Sequence, residues 1–247
     1  LLFILHANWD AISQEHWTRF RGPNADGVAQ DNPHLPTQWN KNQNILWKTA
    51  IPGLGWSSPV IWGDKVFLTT VTSDGTFEQP KAGLYNGEGR KEIPGGIHKW
   101  LVYCLDRDRG SVLWKQEVHQ GAPPVGRHPK NTYASETPCV DEQRVYALFG
   151  DLGLYCFDHD GKALWSIAIK PEETMRDYGA AASPVVEGNR IFVQYDNTNA
   201  SFIAAFEITT GKELWRKPRE EKTTWATPFI WKTESRTELI TAGRNRI

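Results

Sequence analysis

A unit that recurs about every fifty residues constrains this chain more than any other feature. It runs from Tyr155 to Trp165 as Tyr-Cys-Phe-Asp-His-Asp-Gly-Lys-Ala-Leu-Trp, which is an apolar strand, an Asp/Gly turn and a second strand closing on Trp. The same unit stands upstream from Tyr103 to Trp114 and downstream from Ala205 to Trp215. In each, a glycine (Gly110, Gly161 or Gly211) precedes the tryptophan by four residues, and Trp114, Trp165 and Trp215 are 51 and 50 residues apart. A shorter echo, Ile45-Leu46-Trp47, lies near the start. This period belongs to an architecture with one supersecondary unit per repeat. Trp47, Trp114, Trp165 and Trp215 hold one regular place and are expected to pack between repeats, with no catalytic role.

The other half of the repeat opens on a small residue and proline: Ser58-Pro59, Thr137-Pro138, Ser183-Pro184 and Thr227-Pro228. Proline is tolerated at the first position of a strand, where its missing N–H breaks no ladder bond. Seven residues on stand Val66, Val145 and Ile191, each followed by an aromatic residue. The linking Trp-Gly-Asp-Lys (62–65) and Glu-Gly-Asn-Arg (187–190) are hairpin chemistry, and Asp-Glu-Gln-Arg (141–144) holds the same place without glycine. Each repeat is therefore four short strands, and the predicted fold is all-β: a β-propeller of four-stranded antiparallel blades. A parallel β-helix has shorter coils and no antiparallel hairpins, and a β-sandwich lacks the repeat. Three blades are nearly whole (59–114, 138–165, 184–215), and a fourth begins at Pro228, so the propeller is incomplete. Asn44–Thr49 is expected to run as an outer strand beyond any complete blade, as a ring closed from both chain ends requires.

The repeats resemble the pyrroloquinoline-quinone (PQQ) type of propeller repeat, whose third-to-fourth-strand segment typically reads Ala-x-Asp-x-x-Thr-Gly-x-x-x-Trp. Glu207 to Trp215 follows it with Glu in place of Asp, Asp106 to Trp114 keeps the Asp, Gly and Trp, and Asp158 to Trp165 is one residue shorter at the turn. The resemblance covers about residues 44–247, and Phe20-Arg21-Gly22-Pro23 is similar to the lead-in of secreted bacterial members. It implies a ring of seven or eight blades, of which this chain is expected to be an N-terminal part. The superfamily so implied contains quinoprotein dehydrogenases, the propeller lipoprotein of outer-membrane protein assembly, and non-catalytic exported proteins, so fold alone does not choose an activity.

Leu1 to Ala7 is an apolar run followed at once by polar sequence. It reads as the remnant of a secretory signal peptide, the alternative being a short terminal strand, and export to the periplasm or the exterior is the expectation. Seven residues cannot span a membrane. Residues 8–43 form an irregular, Pro-punctuated lead-in, and 44–247 the partial propeller. Lys+Arg is 28 and Asp+Glu 29, a net charge of −1 that offers no electrostatic reason to expect nucleic acid or an anionic membrane. Cys104, Cys139 and Cys156 form no Cys-x-x-Cys or adjacent pair, and read as buried small hydrophobes. Asp158-His159-Asp160-Gly161 has the flavour of a calcium loop but lacks the later carboxylates, and is expected to be a turn. No metal site is expected.

In an antiparallel four-stranded blade, alternate connections emerge on the same side. The long ones, Val71–Trp100, Val118–Glu136, Lys170–Ala182 and Lys217–Ala226, all belong to one face, and long loops on a rigid scaffold are where binding usually resides. On that face Arg127, His128 and Lys130 are candidates for holding an oxyanion or carboxylated ligand. Trp56, Tyr133, Tyr178 and Trp225 each lie shortly before a first-strand proline and could line a central funnel or pack between blades. The leading expectation is an exported, non-catalytic propeller that binds a protein partner or small ligand there, without a cofactor. The alternative is a PQQ- and calcium-dependent dehydrogenase acting on alcohols or aldose sugars, with Arg127, Lys130 and Trp225 serving the quinone. The adjacent-cysteine ring of the alcohol dehydrogenases is missing.

Overall fold

The computed structural model describes residues 16–31, 33, 35–75, 87, 89–90, 92–244 and 247. The signal-peptide reading of residues 1–7 lies outside the described residues. Three antiparallel sheets of four strands follow one another along the chain. The first comprises β1 (Val60–Trp62), β2 (Lys65–Ser73), β3 (His98–Asp106) and β4 (Val112–Gly121). The second comprises β5 (Cys139–Val140), β6 (Arg144–Phe149), β7 (Gly153–Asp158) and β8 (Ala163–Ala168), and the third β9 (Val185–Glu187), β10 (Arg190–Tyr195), β11 (Phe202–Glu207) and β12 (Glu213–Pro218). β13 (Phe229–Lys232) and β14 (Thr237–Ile240) pair as a two-stranded fourth sheet. This is the incomplete propeller that the repeat predicts.

Burial follows strand position. β6 and β10 are covered on both faces and read as near-continuous apolar runs, whereas β8 and β12 are largely exposed, with Trp165 and Trp215 half-buried between exposed neighbours. Neighbouring sheets stack face to face. Phe67, Val102 and Cys104 meet Val145, Ala147 and Phe157 in one core, and Tyr146, Leu148 and Cys156 meet Ile191, Val193 and Phe206 in the next.

The repeat tryptophans join each unit to the following one. Trp114 Nε1 donates to His159 O at 2.9 Å and its indole lies on Gly161; Trp165 Nε1 donates to Ile208 O at 2.9 Å and lies on Gly211. The glycines answer two demands at once. Gly110, Gly161 and Gly211 have φ of +69°, +87° and +72°, and a Cβ on any of them would sit within 3 Å of an indole atom. Trp47 makes the same contact with Gly110, donating to Arg107 O at 2.7 Å. Asn44–Thr49 is nevertheless not a strand, contrary to the expectation above. Its ladder bonds are absent among the described residues, and the indole together with Thr49 Oγ1 on Gly110 O (2.5 Å) holds it instead.

A second ladder explains the Ser/Thr-Pro steps. Ser58 N–H donates to Thr137 Oγ1 (3.0 Å), Thr137 N–H to Ser183 Oγ (3.0 Å) and Ser183 N–H to Thr227 Oγ1 (3.1 Å). Each hydroxyl thus satisfies the backbone of the preceding sheet, which β1, β5 and β9 alone leave unpaired. The lead-in crosses these inner strands: Trp17 and Ile61 exchange both backbone bonds, and Val140 N–H donates to Thr18 O at 2.9 Å.

Candidate functional site on the long-loop face

The described parts of the long connections gather on one side, and most of the residues selected from the sequence form a chain of contacts across it. Trp56 Nε1 donates to Lys130 O at 2.8 Å. Lys130 N–H donates to His128 Nδ1 at 3.1 Å. The His128 ring meets Tyr178 edge-on at 4.7 Å, and Tyr178 stacks on Trp225 at 5.8 Å with 29° between planes. Trp225 Nε1 closes the arch on Gly179 O at 2.7 Å. Gly87, Gly89 and Arg90, between β2 and β3, join it: Arg90 N–H donates to Arg127 O, Gly89 N–H to Arg176 O, and Tyr178 O–H to Gly87 O at 3.3 Å. The backbone they contact is strained, with Arg176 and Asp177 at φ of +56° and +54°.

Arg127 and His128 are not the exposed loop groups that their sequence context suggests, whereas a buried Tyr133 is consistent with packing between blades. Arg127, His128 and Tyr133 are buried. The Arg127 guanidinium turns onto the carbonyls of His128 (3.2 Å) and Asn131 (2.5 Å) and lies over the Tyr133 ring. Burial pulls the His128 imidazole below the ordinary histidine value, helped by the nearby cations Lys130, Arg90 and Arg127 and opposed by the hydrogen bond that the ring gives to the Gly87 backbone; burial thus works against a third cation in this cluster. Burial likewise pushes the Tyr133 hydroxyl up, and it donates to Val125 O at 3.0 Å. Trp56 stays half exposed, and a hollow of about 340 Å³ opens beside Tyr133 and Arg127, walled further by Arg90, Glu92 and Ile93. Among the described residues no group of three His, Cys, Asp or Glu side chains is placed to hold a metal.

Sequence reasoning missed several groups. Asn131 organises the arch, its Nδ2 donating to Tyr178 O (2.7 Å) and Ala180 O (3.2 Å). Glu136 and Gln194 are buried between the second and third sheets. Glu136 was detectable, since a carboxylate stands where the other repeats carry Ser57, Ala182 and Ala226. A larger hollow of about 710 Å³ lies at the other end of the inner strands, among Arg19, Trp62, Asp141, Glu187 and Trp231. No pattern in the sequence points to it, because the lead-in and four inner hairpins meet there only in three dimensions.

No curated protein matches the chain. Among solved structures it is similar to BamB from Moraxella catarrhalis, at 16% identity over 72% of this chain and 55% of that one, TM-score 0.38. It is also similar to the quinohemoprotein alcohol dehydrogenase ADHIIG from Pseudomonas putida (20% identity, 49% and 19% coverage, TM-score 0.36). The corresponding enzyme from Comamonas testosteroni matches at 15% identity, 63% and 23% coverage, and TM-score 0.36. The chain thus spans between 19% and 55% of the length of these proteins. These likenesses are distant, and the family rests on residues 98–237, more than half of the chain, which match the family described as outer membrane protein assembly factor BamB. By that match the chain belongs to this family of PQQ-like β-propeller repeats.

Proposed function

We propose that this chain is part of an exported, non-catalytic PQQ-like propeller that holds a protein partner or an anionic small ligand on its long-loop face. The observation that carries the reading is the commitment of the groups a quinone would need. Arg127 is spent on the carbonyls of its own loop, and Trp225 is stacked against Tyr178 and tied to Gly179. A quinone site needs cations reaching out to carboxylates and an uncovered aromatic platform, together with oxygen ligands for calcium. What stays open on this face is a surface made of Trp56, Lys130 and the hollow beside Arg90, which suits binding better than redox chemistry. Export is supported by the apolar run at Leu1–Ala7.

Titration of the full-length protein with pyrroloquinoline quinone and calcium tests this reading. The expected result is no saturable binding and no reduction of an artificial electron acceptor when alcohols or aldose sugars are supplied. Substrate-dependent dye reduction that requires both additions would overturn it and make the protein a quinoprotein dehydrogenase.

A further inference from the structure

Two carboxyl groups and an amide are buried together where the second and third sheets meet. Glu136, 3% exposed, accepts the Gly150 N–H on Oε1 at 2.9 Å. Asp151, the next residue along, accepts the Tyr195 hydroxyl on Oδ1 at 3.3 Å. From the third sheet comes Gln194, 2% exposed. Its amide nitrogen donates to Asp196 Oδ2 (2.9 Å), Thr224 Oγ1 (3.3 Å) and Ala242 O (3.2 Å), while its Oε1 has no hydrogen-bond partner. Glu136, Gly150, Gln194, Tyr195, Asp196 and Thr224 wall one cavity of about 10 Å³, room for a single water.

A buried carbonyl oxygen needs a donor, and leaving it without one is costly. The facing groups do not supply one. Asp196 is an acceptor, clamped by Arg219 at 2.8 and 3.2 Å; the Thr224 hydroxyl is given to Asp196, and that of Tyr195 is engaged with Asp151 and Glu172 O. Tyr133, which faces Asp151 from the loop before β5, donates to Val125 O. No Lys or Arg is among the residues that wall this cavity; Arg219 is ion-paired with Asp196 of the wall, and among the described residues no ion pair reaches Glu136 or Asp151. A carboxylate at Glu136 has no hydrogen to give, whereas a carboxylic acid has one.

We propose that one proton latches the second sheet to the third: Glu136 holds it as a neutral carboxylic acid and donates it in a hydrogen bond that reaches Gln194 Oε1, directly or through the one water that their shared cavity has room for. The electrostatics agree with this placement. Burial, reinforced by Asp151, pushes the Glu136 carboxyl up to about 8 against the opposing pull of three backbone N–H groups, and burial pushes Asp151 up to about 7 against its bond from Tyr195. Both folded values exceed the ordinary ones of 4.5 and 3.8, so the folded chain binds more protons than the unfolded chain. The stability they contribute is complete below the ordinary carboxyl range and is lost as pH rises towards 8. The cavity wall includes Ala180, Ala181 and Ala182, which continue from the Tyr178-Gly179 segment that Trp225 and Asn131 grip. Loss of the proton therefore loosens the support of the long-loop arch.

The test is thermal unfolding of the full-length protein between pH 5 and 9, in wild type, Glu136→Gln and Gln194→Met, with Asp151→Asn to remove the second titration. The wild-type Tm should fall across the upper half of that range. Glu136→Gln, a permanent donor of the same shape, should remove most of the fall. Gln194→Met, which takes away the acceptor, should move the midpoint of the fall to lower pH. A Glu136→Gln protein with the wild-type slope, or a Gln194→Met protein with an unmoved midpoint, overturns the latch. Should Glu136→Gln fail to fold, carbon-13 NMR of wild type labelled at the glutamate carboxyl decides the matter. One carboxyl titrating near pH 8 supports the proposal, and all of them titrating in the ordinary glutamate range overturn it.

Discussion

Replacing Gly161 by alanine tests the contact that joins successive sheets, because it adds one methyl group at one place. The new Cβ would stand 2.8 Å from Trp114 Cδ2, 2.9 Å from Cγ and 3.1 Å from Cε2, closer than carbon atoms approach without displacement. The indole cannot simply retreat, since its Nε1 is bonded to His159 O at 2.9 Å and its ring packs near Phe67 and Phe157. Overpacking of this kind costs about 1–3 kcal/mol. The backbone adds its own term, because φ is +87° and an L residue in the left-handed region loses about 1–2 kcal/mol relative to glycine. Gly161→Ala should therefore destabilise by about 2–5 kcal/mol. Gly188→Ala is the control: φ is +56° there and a Cβ would meet nothing within 4 Å, so only the backbone term of about 1–2 kcal/mol applies. Urea denaturation of both variants, and of Gly161→Ala combined with Trp114→Ala, separates the two terms. In the double variant the steric part should vanish, giving a favourable coupling of about 1–3 kcal/mol. Equal losses for Gly161→Ala and Gly188→Ala, or additive behaviour in the double variant, would refute the account of Trp114 as the clamp on the next sheet.

Other substitutions probe the remaining contacts. Arg127→Ala should destabilise by about 2–4 kcal/mol in a denaturant titration, because the His128 and Asn131 carbonyls lose a buried charged donor; a loss within 0.5 kcal/mol, typical of surface sites, would mean the guanidinium is in solvent. Thr137→Val keeps the shape of a residue that is 2% exposed but leaves the Ser58 N–H unsatisfied, at a cost of about 1–3 kcal/mol. Amide exchange at Ser58 should accelerate in that variant, and unchanged exchange would argue against the hydroxyl ladder. Arg219→Met strands the fully buried Asp196 carboxylate and should cost about 3–5 kcal/mol. Asp196→Asn added to it should restore part of that loss, and the absence of any rescue would show that the pair is not a unit.

The sequence by itself determined the repeat, and the repeat determined the strands. Spacing of the tryptophans, the Asp/Gly turns and the Ser/Thr-Pro steps is local information, and each sheet is built from residues near one another in the chain, so the four-strand unit is legible in the sequence. What the units do to one another was not. The glycine of the turn reads as turn chemistry alone, and only the stacked sheets show that an indole from the preceding unit lies on it. The Ser or Thr before each proline reads as a small residue, and its hydroxyl becomes an inter-sheet acceptor only when neighbouring sheets stand side by side. Trp47 was placed correctly as a member of the series, but as part of a strand, because a side-chain contact that replaces a ladder leaves no alternation to read. The candidate site divides in the same way. The face was deducible from connectivity, since in an antiparallel meander alternate connections must emerge together. The state of each side chain was not, because burial depends on residues far away in the chain. Arg127 and His128 look like solvated loop groups and yet are buried, with Arg90 bonded to the Arg127 carbonyl, and Glu136 and Gln194, 58 residues apart in the chain, line one cavity only because two sheets close on it.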